Sequence, residues 1–298
     1  MFIDMHVHTR YFPGPERLSG GTYATPEELM AMLKPLGVKK AVIMPGINPE
    51  CAISIQGMGD ALAVVEKYPD FFIAFMNVDP RQVKNSPDAD LGHVMRYYLE
   101  RGCKGLGEVY PNLPFDDPLV ENLFKHAQEL ELPLTFHMAP HQGGHYGMID
   151  HLGLPLLEGA LKKFPELQFI GHSHPFWAEI SGDLTEDIRY TYPKTPVAPG
   201  GALVRLMRNY ENLWGDLSPG AGSGYNAISR DPEFGYSFLE EFQDRLLFAT
   251  DICDPRNQLP LVDFLNDAEA AGKISTEAYQ KVCYKNAERI LGIKLEEG

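Results

Sequence analysis

Apolar residues recur along the chain in short runs, and amphipathic stretches separate these runs from one end to the other. Short apolar runs are typical of buried strands, and the intervening stretches are typical of helices. Eight runs qualify as strands, and most of them end in polar or small residues. They are Phe2 to His8, Lys40 to Met44, Phe72 to Asn77, Gly105 to Tyr110, Leu134 to Met138, Gln168 to His172, Leu213 to Leu217 and Leu246 to Asp251.

The first helix has the clearest boundaries, because Thr25 can cap it, Pro26 suits its first turn and Gly37 stops it. Further helices are predicted at Asp88 to Arg101, Pro118 to Leu130, Leu154 to Phe164, Glu233 to Phe242, Leu259 to Ala271 and Thr276 to Leu291. Eightfold alternation of strand and helix predicts an α/β fold of the (β/α)8 TIM-barrel class. An open doubly wound sheet would carry a Gly-rich loop after its first strand, where this chain has His6-Val-His8.

The length of 298 residues suits one barrel, since such barrels occupy about 250 residues as a single unit. We therefore expect a single domain spanning residues 1–298. The longest departure from the alternation is Pro175 to Tyr210, which we interpret as an elaborated crossover that serves as a lid or as an oligomer contact.

The chain is acidic, with 41 Asp and Glu against 26 Lys and Arg and a formal net charge of -15. Such a field repels nucleic-acid phosphates and anionic lipid, so we expect neither nucleic acid nor membrane as a partner, and a small-molecule substrate instead. Four scattered cysteines, no secretory leader and no apolar run of about 18 residues favour a cytoplasmic protein. Homo-oligomer formation is left open.

Residues that can bind metal lie at the carboxyl ends of the predicted strands. In a barrel these ends meet at the active-site mouth, and two histidines spaced two apart on one strand face the same side. Buried imidazole and carboxylate groups need partners, which indicates convergence on a cation. The residues concerned are His6, His8, Glu108, His137, His172 and Asp251.

Motifs around these residues carry a family resemblance over almost the whole chain. They are Asp4-Met-His-Val-His8, Lys104-Gly-Leu-Gly-Glu108, Phe136-His137, Ile170-Gly-His172, Thr250-Asp251 and Tyr284-Lys-Asn-Ala-Glu-Arg-Ile-Leu291. With them the sequence resembles the amidohydrolase superfamily of metallo-dependent hydrolases. It is most similar to the amidohydrolase-2 branch, which includes aminocarboxymuconate-semialdehyde decarboxylase and related non-oxidative decarboxylases.

The resemblance implies a divalent metal, most often Zn2+, bound by His6, His8, His137 and Asp251. It also implies that His172 is a further ligand or an acid/base group, and that Asp251 accepts a proton from water that the metal activates.

Glu108 leaves the number of ions open between one and two. It could bridge to a second ion shared with His137 and His172, or it could orient a ligating histidine or bind substrate. Lys104 lies near the start of the same strand and is badly placed for bridging.

Other polar residues near the mouth are candidates for substrate binding or support. Arg10 could meet a substrate carboxylate or form a salt bridge within the protein. His141 and His145, on the loop after the fifth strand, could contact substrate. Asp216 and Asp254 are candidates for hydrogen bonds that support the ligands.

The favoured function is a metal-dependent hydrolase of a small-molecule amide, ester or lactone that uses metal-activated water. The alternative is a zinc-dependent non-oxidative decarboxylase of an aromatic or muconate-like acid, and a minor alternative is a non-catalytic barrel. Two ions bridged by Glu108 would weaken the decarboxylase hypothesis, whereas a single ion would support it.

Overall fold

Parallel strands form the centre of the protein in a computed structural model that describes residues 1–219 and 222–296. The strands are β1 (Phe2–Val7), β2 (Val38–Ile43), β3 (Phe72–Ala74), β4 (Leu106–Val109), β5 (Leu134–Ala139), β6 (Met148–Ile149), β7 (Phe169–His172), β8 (Leu213–Asp216) and β9 (Leu246–Leu247). The α-helices are α1 (Pro26–Leu33), α2 (Met58–Lys67), α3 (Leu91–Leu99), α4 (Pro118–Glu129), α5 (Pro155–Lys163), α6 (His174–Ala178), α7 (Ala202–Asn209), α8 (Ser223–Ser229), α9 (Pro232–Glu241), α10 (Pro260–Ala270), α11 (Thr276–Gln280) and α12 (Asn286–Leu291).

The strands pair as two arcs, β1-β2-β3 and β4-β5-β7-β8-β9, and β6 pairs with β5 outside this path. Bridges between Met76 and Leu106 and between Val7 and Ile252 join the arcs at both seams. At the second seam the Met5 amide donates to the Phe248 carbonyl at 3.0 Å. The sheet is therefore closed, and the predicted TIM barrel is confirmed.

Alternation along the strands divides the core into two layers. Ile3 and Met5 of β1 point into a cluster inside the barrel, whereas Phe2 packs in the larger cluster between strands and helices. Val7 also packs in the larger cluster, because the register of β1 shifts between Asp4 and Val7. Leu291, at the end of α12, belongs to the inner cluster. The amino-terminal end of the barrel is thus filled with apolar side chains, which leaves the carboxyl ends of the strands for chemistry.

Each of the eight predicted strands is present with shifts of a few residues at its ends, and the predicted first helix has its expected cap. Thr25 accepts from the Glu28 amide, and Glu28 accepts from the Thr25 amide in return. Helices α2, α6, α7 and α8 were not predicted. The N-caps of α2, α7 and α8 are Gly57, Gly201 and Gly222, which have no side chain to cap a helix, so the usual start signal is missing.

The predicted crossover consists of most of α6, an irregular stretch over 179–201, and α7. The single-domain span of 1–298 stays a prediction, and its residues 220, 221, 297 and 298 lie outside the described part of the chain. None of the helices in the described ranges is long and apolar enough to cross a membrane.

A buried arginine anchors this crossover to the barrel. Arg189 is fully buried and donates from Nη1 to the Asp150 carbonyl at 2.8 Å and from Nη2 to the His151 carbonyl at 3.1 Å. Its Nε lies 3.3 Å from Oε1 of buried Glu179. Burial raises the pKa of Glu179 to about 7, although Arg189 opposes the shift. The two side chains therefore depend on each other for charge balance.

Replacing Arg189 with Met is expected to lower the free energy of unfolding by about 3–5 kcal/mol, because it leaves a buried carboxylate without its cation. The loss should grow with pH. The raised pKa of Glu179 stabilises the folded state fully below the unfolded value of 4.5, and this stabilisation is lost as the pH rises through about 7. Removing Arg189 shifts the pKa of Glu179 further upward, so the variant continues to lose stability at higher pH. Urea unfolding at pH 6 and pH 8 measures both effects.

The matched control for this prediction is the double variant Arg189→Met with Glu179→Gln. It should recover part of the loss and remove most of the pH dependence, since no unpaired charge remains. An equal loss in both variants at both pH values would contradict the dependence of each side chain on the charge of the other.

Candidate metal centre

Six side chains meet at the carboxyl end of the barrel, and each is placed by a strand or the residues just after it. His6 lies in β1 and His8 directly follows it, Glu108 lies in β4, His137 in β5 and His172 at the end of β7. Asp251 follows β9 with a left-handed φ of +50°, an unfavourable conformation for a residue with a Cβ. Its amide donates to the His6 carbonyl at 2.8 Å, which holds the turn in place.

The first group of ligand atoms surrounds the two histidines of β1. His8 Nε2 lies 3.2 Å from His6 Nε2 and 3.2 Å from Asp251 Oδ1. Glu108 Oε2 lies 3.5 Å from His8 Nε2 and 3.7 Å from His6 Nε2. The atoms of His6, His8 and Glu108 are close enough together to share one cation, and so are those of His6, His172 and Asp251.

The second group lies on the other side of Glu108. Its Oε1 is 2.7 Å from His137 Nδ1 and 3.8 Å from His172 Nε2. His172 Nε2 also lies 3.6 Å from Asp251 Oδ2. Glu108 therefore presents a different oxygen to each group of ligand atoms.

Three of the four histidines expose Nε2 to the centre because Nδ1 is held from behind. His6 Nδ1 bonds to Asp216 Oδ2 at 2.7 Å, and His172 Nδ1 bonds to the Ser218 hydroxyl at 2.8 Å. His8 Nδ1 lies 2.8 Å from the Met44 carbonyl, which can only accept, so Nδ1 carries the proton. This turns Nε2 of His8 toward the centre, the arrangement that metal-ligating histidines require.

The charges at the centre also suit a cation. Burial alone would raise the pKa of Glu108, but hydrogen bonding and the charges of His137 and His6 hold it well below its usual range. Burial and the neighbouring His6 lower the pKa of His172 to about 4, so it is neutral. Burial opposes a charge on His6, yet Asp216 and Glu108 raise its pKa well above the usual range. The field is therefore strongly negative, and a metal ion could neutralise it in place of a proton.

Asp216 holds His6 with its Nε2 turned toward the candidate metal centre. Its Oδ1 accepts from the Ser218 amide at 2.8 Å while Oδ2 binds His6. We expect Asp216→Asn to weaken zinc affinity by about 10- to 100-fold, because an amide is a poorer acceptor for the imidazole proton. Competition with a fluorescent zinc chelator measures the change, and Asp267→Asn on the exposed side of α10 is the control. An unchanged affinity would contradict the orienting function.

A cleft of about 250 Å³ opens beside the candidate metal centre and is lined by three of its residues, His8, Glu108 and Asp251. Arg10, Tyr23, Tyr110, Tyr146, Arg17, Ser54 and Cys253 form much of the remaining lining. The Tyr146 ring lies 4.4 Å from the ring of His137, so it covers one side of the centre.

Arg10 is the one predicted substrate contact that lies in this cleft. It is 6% exposed, its guanidinium lies 3.9 Å from the centre of the Tyr23 ring, and Nη2 donates to the Ser54 carbonyl at 3.0 Å. Its Nε is buried without a partner. The ion pairs found across residues 1–219 and 222–296 do not include Arg10. The described residues therefore do not contain the salt bridge that the sequence offered as the alternative to substrate binding by Arg10.

The structure does not bring His141 and His145 to the cleft. Their rings lie 4.6 Å apart on the loop after β5, and the His145 ring is 4.9 Å from Tyr190 of the crossover. Asp254 bonds to Arg17 and Arg256 rather than to a ligand. Sequence reasoning did not find Ser218 or Tyr146, whose only signal is their place on loops after barrel strands.

A sequence profile described as "Amidohydrolase" matches residues 3–293, which covers the strands that supply all six ligand candidates. The chain belongs to the amidohydrolase family. This confirms the resemblance drawn from the six sequence motifs. No curated protein sequence matches this amidohydrolase.

Solved structures share the amidohydrolase's fold at low sequence identity. An uncharacterised TIM-barrel protein from Bordetella bronchiseptica has 15% identity, covers 98% of both chains and gives a TM-score of 0.64. A probable 2-pyrone-4,6-dicarboxylic acid hydrolase from Acinetobacter baumannii has 14% identity over 98% of this chain and 99% of its own, with a TM-score of 0.61. A 5-carboxyvanillate decarboxylase from Sphingomonas paucimobilis has 18% identity over 98% and 99%, with a TM-score of 0.59.

Proposed function

We propose that this amidohydrolase is a metal-dependent hydrolase of a small carboxylated substrate with an ester, lactone or amide bond. The observation that supports it most directly is the opening of a ligand-lined metal centre into a cleft that holds a buried, unpaired arginine. The family supports a metal-dependent enzyme, and the cleft supports a small substrate.

Residues of both ligand groups fit a divalent ion, with Zn2+ as the first candidate. Imidazole nitrogens and carboxylate oxygens are the ligands that zinc takes in catalytic sites. His6, His8 and Glu108 would hold one ion, and Glu108, His137 and His172 would hold a second. Asp251 is a further ligand candidate beside His8 and His172. When bound, such an ion supplies Lewis acidity, which polarises a carbonyl and makes water nucleophilic near neutral pH.

Asp251 is the proton acceptor in this proposal. It is the most accessible of the carboxylates at the centre, with 23% of its side chain exposed, and it lines the cleft. Burial alone would raise its pKa, but the hydrogen bond to His8 and the nearby imidazoles keep it lowered and the group anionic. An anionic carboxylate at the edge of the centre can take a proton from attacking water and return it to the leaving group.

Arg10 orients the substrate. A buried guanidinium without an ion-pair partner is costly, and a substrate carboxylate would satisfy it. The ring of Tyr23 beneath it and the hydrogen bonds to Ser54 hold the guanidinium against the cleft wall. The reactive bond would then extend toward His8 and Asp251.

A zinc-dependent non-oxidative decarboxylase is the second candidate, and the tyrosine-rich cleft with its arginine favours it as well. Tyr23, Tyr110 and Tyr146 could flank an aromatic acid. Related folds that are named as decarboxylases include a 2,6-dihydroxybenzoate decarboxylase from Rhizobium.

A panel assay of the zinc-loaded protein tests the proposal. Lactones, esters and amides that carry a carboxylate are assayed for hydrolysis, and aromatic and muconate-like acids are assayed for carbon dioxide release. We expect turnover in the first set. Carbon dioxide release without hydrolysis would favour the decarboxylase, and no turnover in either set at stoichiometric metal content would favour a non-catalytic barrel.

Replacing Arg10 with Met is expected to raise KM for a carboxylated substrate by about 10- to 100-fold with a smaller change in kcat, because a charged hydrogen bond is lost on binding. The control is the methyl ester of the same carboxylate, which Arg10 cannot hold as an anion. Equal effects of the substitution on both substrates would contradict a carboxylate-binding function.

A further inference from the structure

A second cleft lies at the opposite end of the barrel from the metal centre and has a volume of about 350 Å³. Its floor is apolar and comes from α2, β3 and the segment after α12, with Leu62, Val65, Phe72 and Ile293 among its lining residues. This volume lies at the lower end of the range of ligand pockets, which is about 300–1,000 Å³. A ligand with a modest apolar body would fit.

The charged residues that line this cleft are all cationic in the described part of the chain, although the protein as a whole is acidic. Lys40, Arg101, Lys104 and Lys294 line it, and no carboxylate does so among the described residues. We call this site the basic cleft. Acidic side chains outnumber basic ones by 41 to 26 in the whole sequence. A cleft lined by four cations therefore differs in charge from the protein as a whole.

Lysines elsewhere on the surface form ion pairs, whereas most cations of the basic cleft have no carboxylate nearby in the described part of the chain. Exposed lysines such as Lys67 and Lys84 lie 3.0 and 2.6 Å from carboxylate oxygens. At the basic cleft, Lys40 donates to the Pro69 carbonyl at 3.3 Å and Arg101 donates to the Tyr97 carbonyl at 2.8 Å. Lys294 is the only one of the four with a carboxylate within 4.0 Å in the described part of the chain, at 3.9 Å from Glu288. The other three positive charges are not neutralised by an ion pair there.

We propose that the basic cleft binds an amphipathic anion, in which an aliphatic or aromatic body carries one carboxylate or sulfonate group. The apolar floor would bury the body and the four cations would face the anionic group. Neither the metal centre nor the proposed hydrolysis requires this site.

Contacts of the basic cleft predict that its ligand stabilises the fold. Ile73 of β3 and Ile293 both line the cleft and also pack against the cluster inside the barrel. Between β3 and β4, the two arcs of the sheet are joined by the bridge from Met76 to Leu106. A ligand seated there would contact both sides of this seam, and binding to the native state alone raises the melting temperature.

The probe for this site is 8-anilinonaphthalene-1-sulfonate, titrated by fluorescence into the intact protein and displaced by decanoate. We expect saturable one-site binding that weakens as sodium chloride screens the charges. The double variant Arg101→Glu with Lys104→Glu should raise Kd by about tenfold or more, since two attractions become repulsions. Val65→Trp should reduce binding by occupying the floor, and decanoate should raise the melting temperature of the wild type.

Two controls test whether the probe binds in the basic cleft itself. Lys125→Glu with Lys162→Glu changes the net charge equally on α4 and α5 and should leave Kd within about twofold, because exposed charges far from the ligand are screened. Arg10→Met should also leave Kd unchanged, which excludes binding at the metal centre. An unaltered Kd in Arg101→Glu with Lys104→Glu, or wild-type binding that is not saturable, would overturn the proposal.

Discussion

Replacing Asp251 with Asn is expected to lower kcat/KM by about 10²- to 10⁴-fold, because an amide cannot accept the proton that hydrolysis releases. The carboxylate lies 3.2 Å from His8 Nε2 and 3.6 Å from His172 Nε2, so it faces both ligand groups at once. Asn is close to Asp in shape, and the turn at φ +50° tolerates Asn better than most residues. The backbone should therefore keep its conformation.

Metal content must be measured alongside the rate of this variant, since Asp251 is also a ligand candidate. A variant that keeps its zinc and loses turnover isolates proton transfer, whereas loss of both shows that Asp251 mainly holds the ion. Asp263→Asn, on the exposed face of α10, controls for loss of one carboxylate. Wild-type kcat/KM in the zinc-loaded Asp251→Asn protein would exclude Asp251 from catalysis.

The sequence was sufficient for the barrel because parallel strands buried on both faces leave continuous apolar runs. All eight runs form strands, although the last strand is only Leu246–Leu247. Beyond it the hydrogen bonding is irregular and continues as single backbone hydrogen bonds to β1. Helices α2 and α7 were missed because both begin after a glycine, where a cap depends on backbone geometry alone. Such a start leaves no mark in the sequence.

The sequence was sufficient to predict which side chains meet at the candidate metal centre, but not which atoms face one another there. A period of two along β1 and the rule that strand ends meet are enough to gather His6, His8 and the later ligand candidates. Which oxygen of Glu108 faces which histidine depends on side-chain rotamers and packing, and the spacing of residues along the sequence does not determine it. The same holds for Arg10: the ion pairs among the described residues do not include it, which is visible only when its surroundings are assembled.

The loop histidines show the reverse case: the sequence suggested a place at the site, the residues that line the cleft do not include them, and their contact with substrate stays a prediction. His141 and His145 follow a ligand-bearing strand, which made them reasonable substrate contacts. The glycines after His141 turn the chain through φ values of +78° at Gly143 and +70° at Gly144, and the two imidazole rings face each other and Tyr190. Tyr146, one residue further, covers His137 instead.

Replacing Glu108 with Gln is expected to reduce the zinc content of the saturated protein from about two ions per chain to about one, with a loss of at least about 10²-fold in kcat/KM. Its two oxygens reach His8 at 3.5 Å and His137 at 2.7 Å, so a single side chain serves both ligand groups. An amide keeps the shape but offers only one good ligand atom and no charge. Elemental analysis of zinc-saturated protein after gel filtration measures the stoichiometry.

The two outcomes of this measurement separate the candidate reactions. Two ions in the wild type and one in Glu108→Gln would fit a shared carboxylate and favour the hydrolase. One ion in both proteins would mean that Glu108 serves only to orient His137, and it would shift the balance toward the single-metal decarboxylase. Glu166→Gln, at an exposed position, should match the wild type in either case. Glu108→Asp tests whether the length of the side chain matters, because the shorter carboxylate keeps the charge but cannot span both ligand groups.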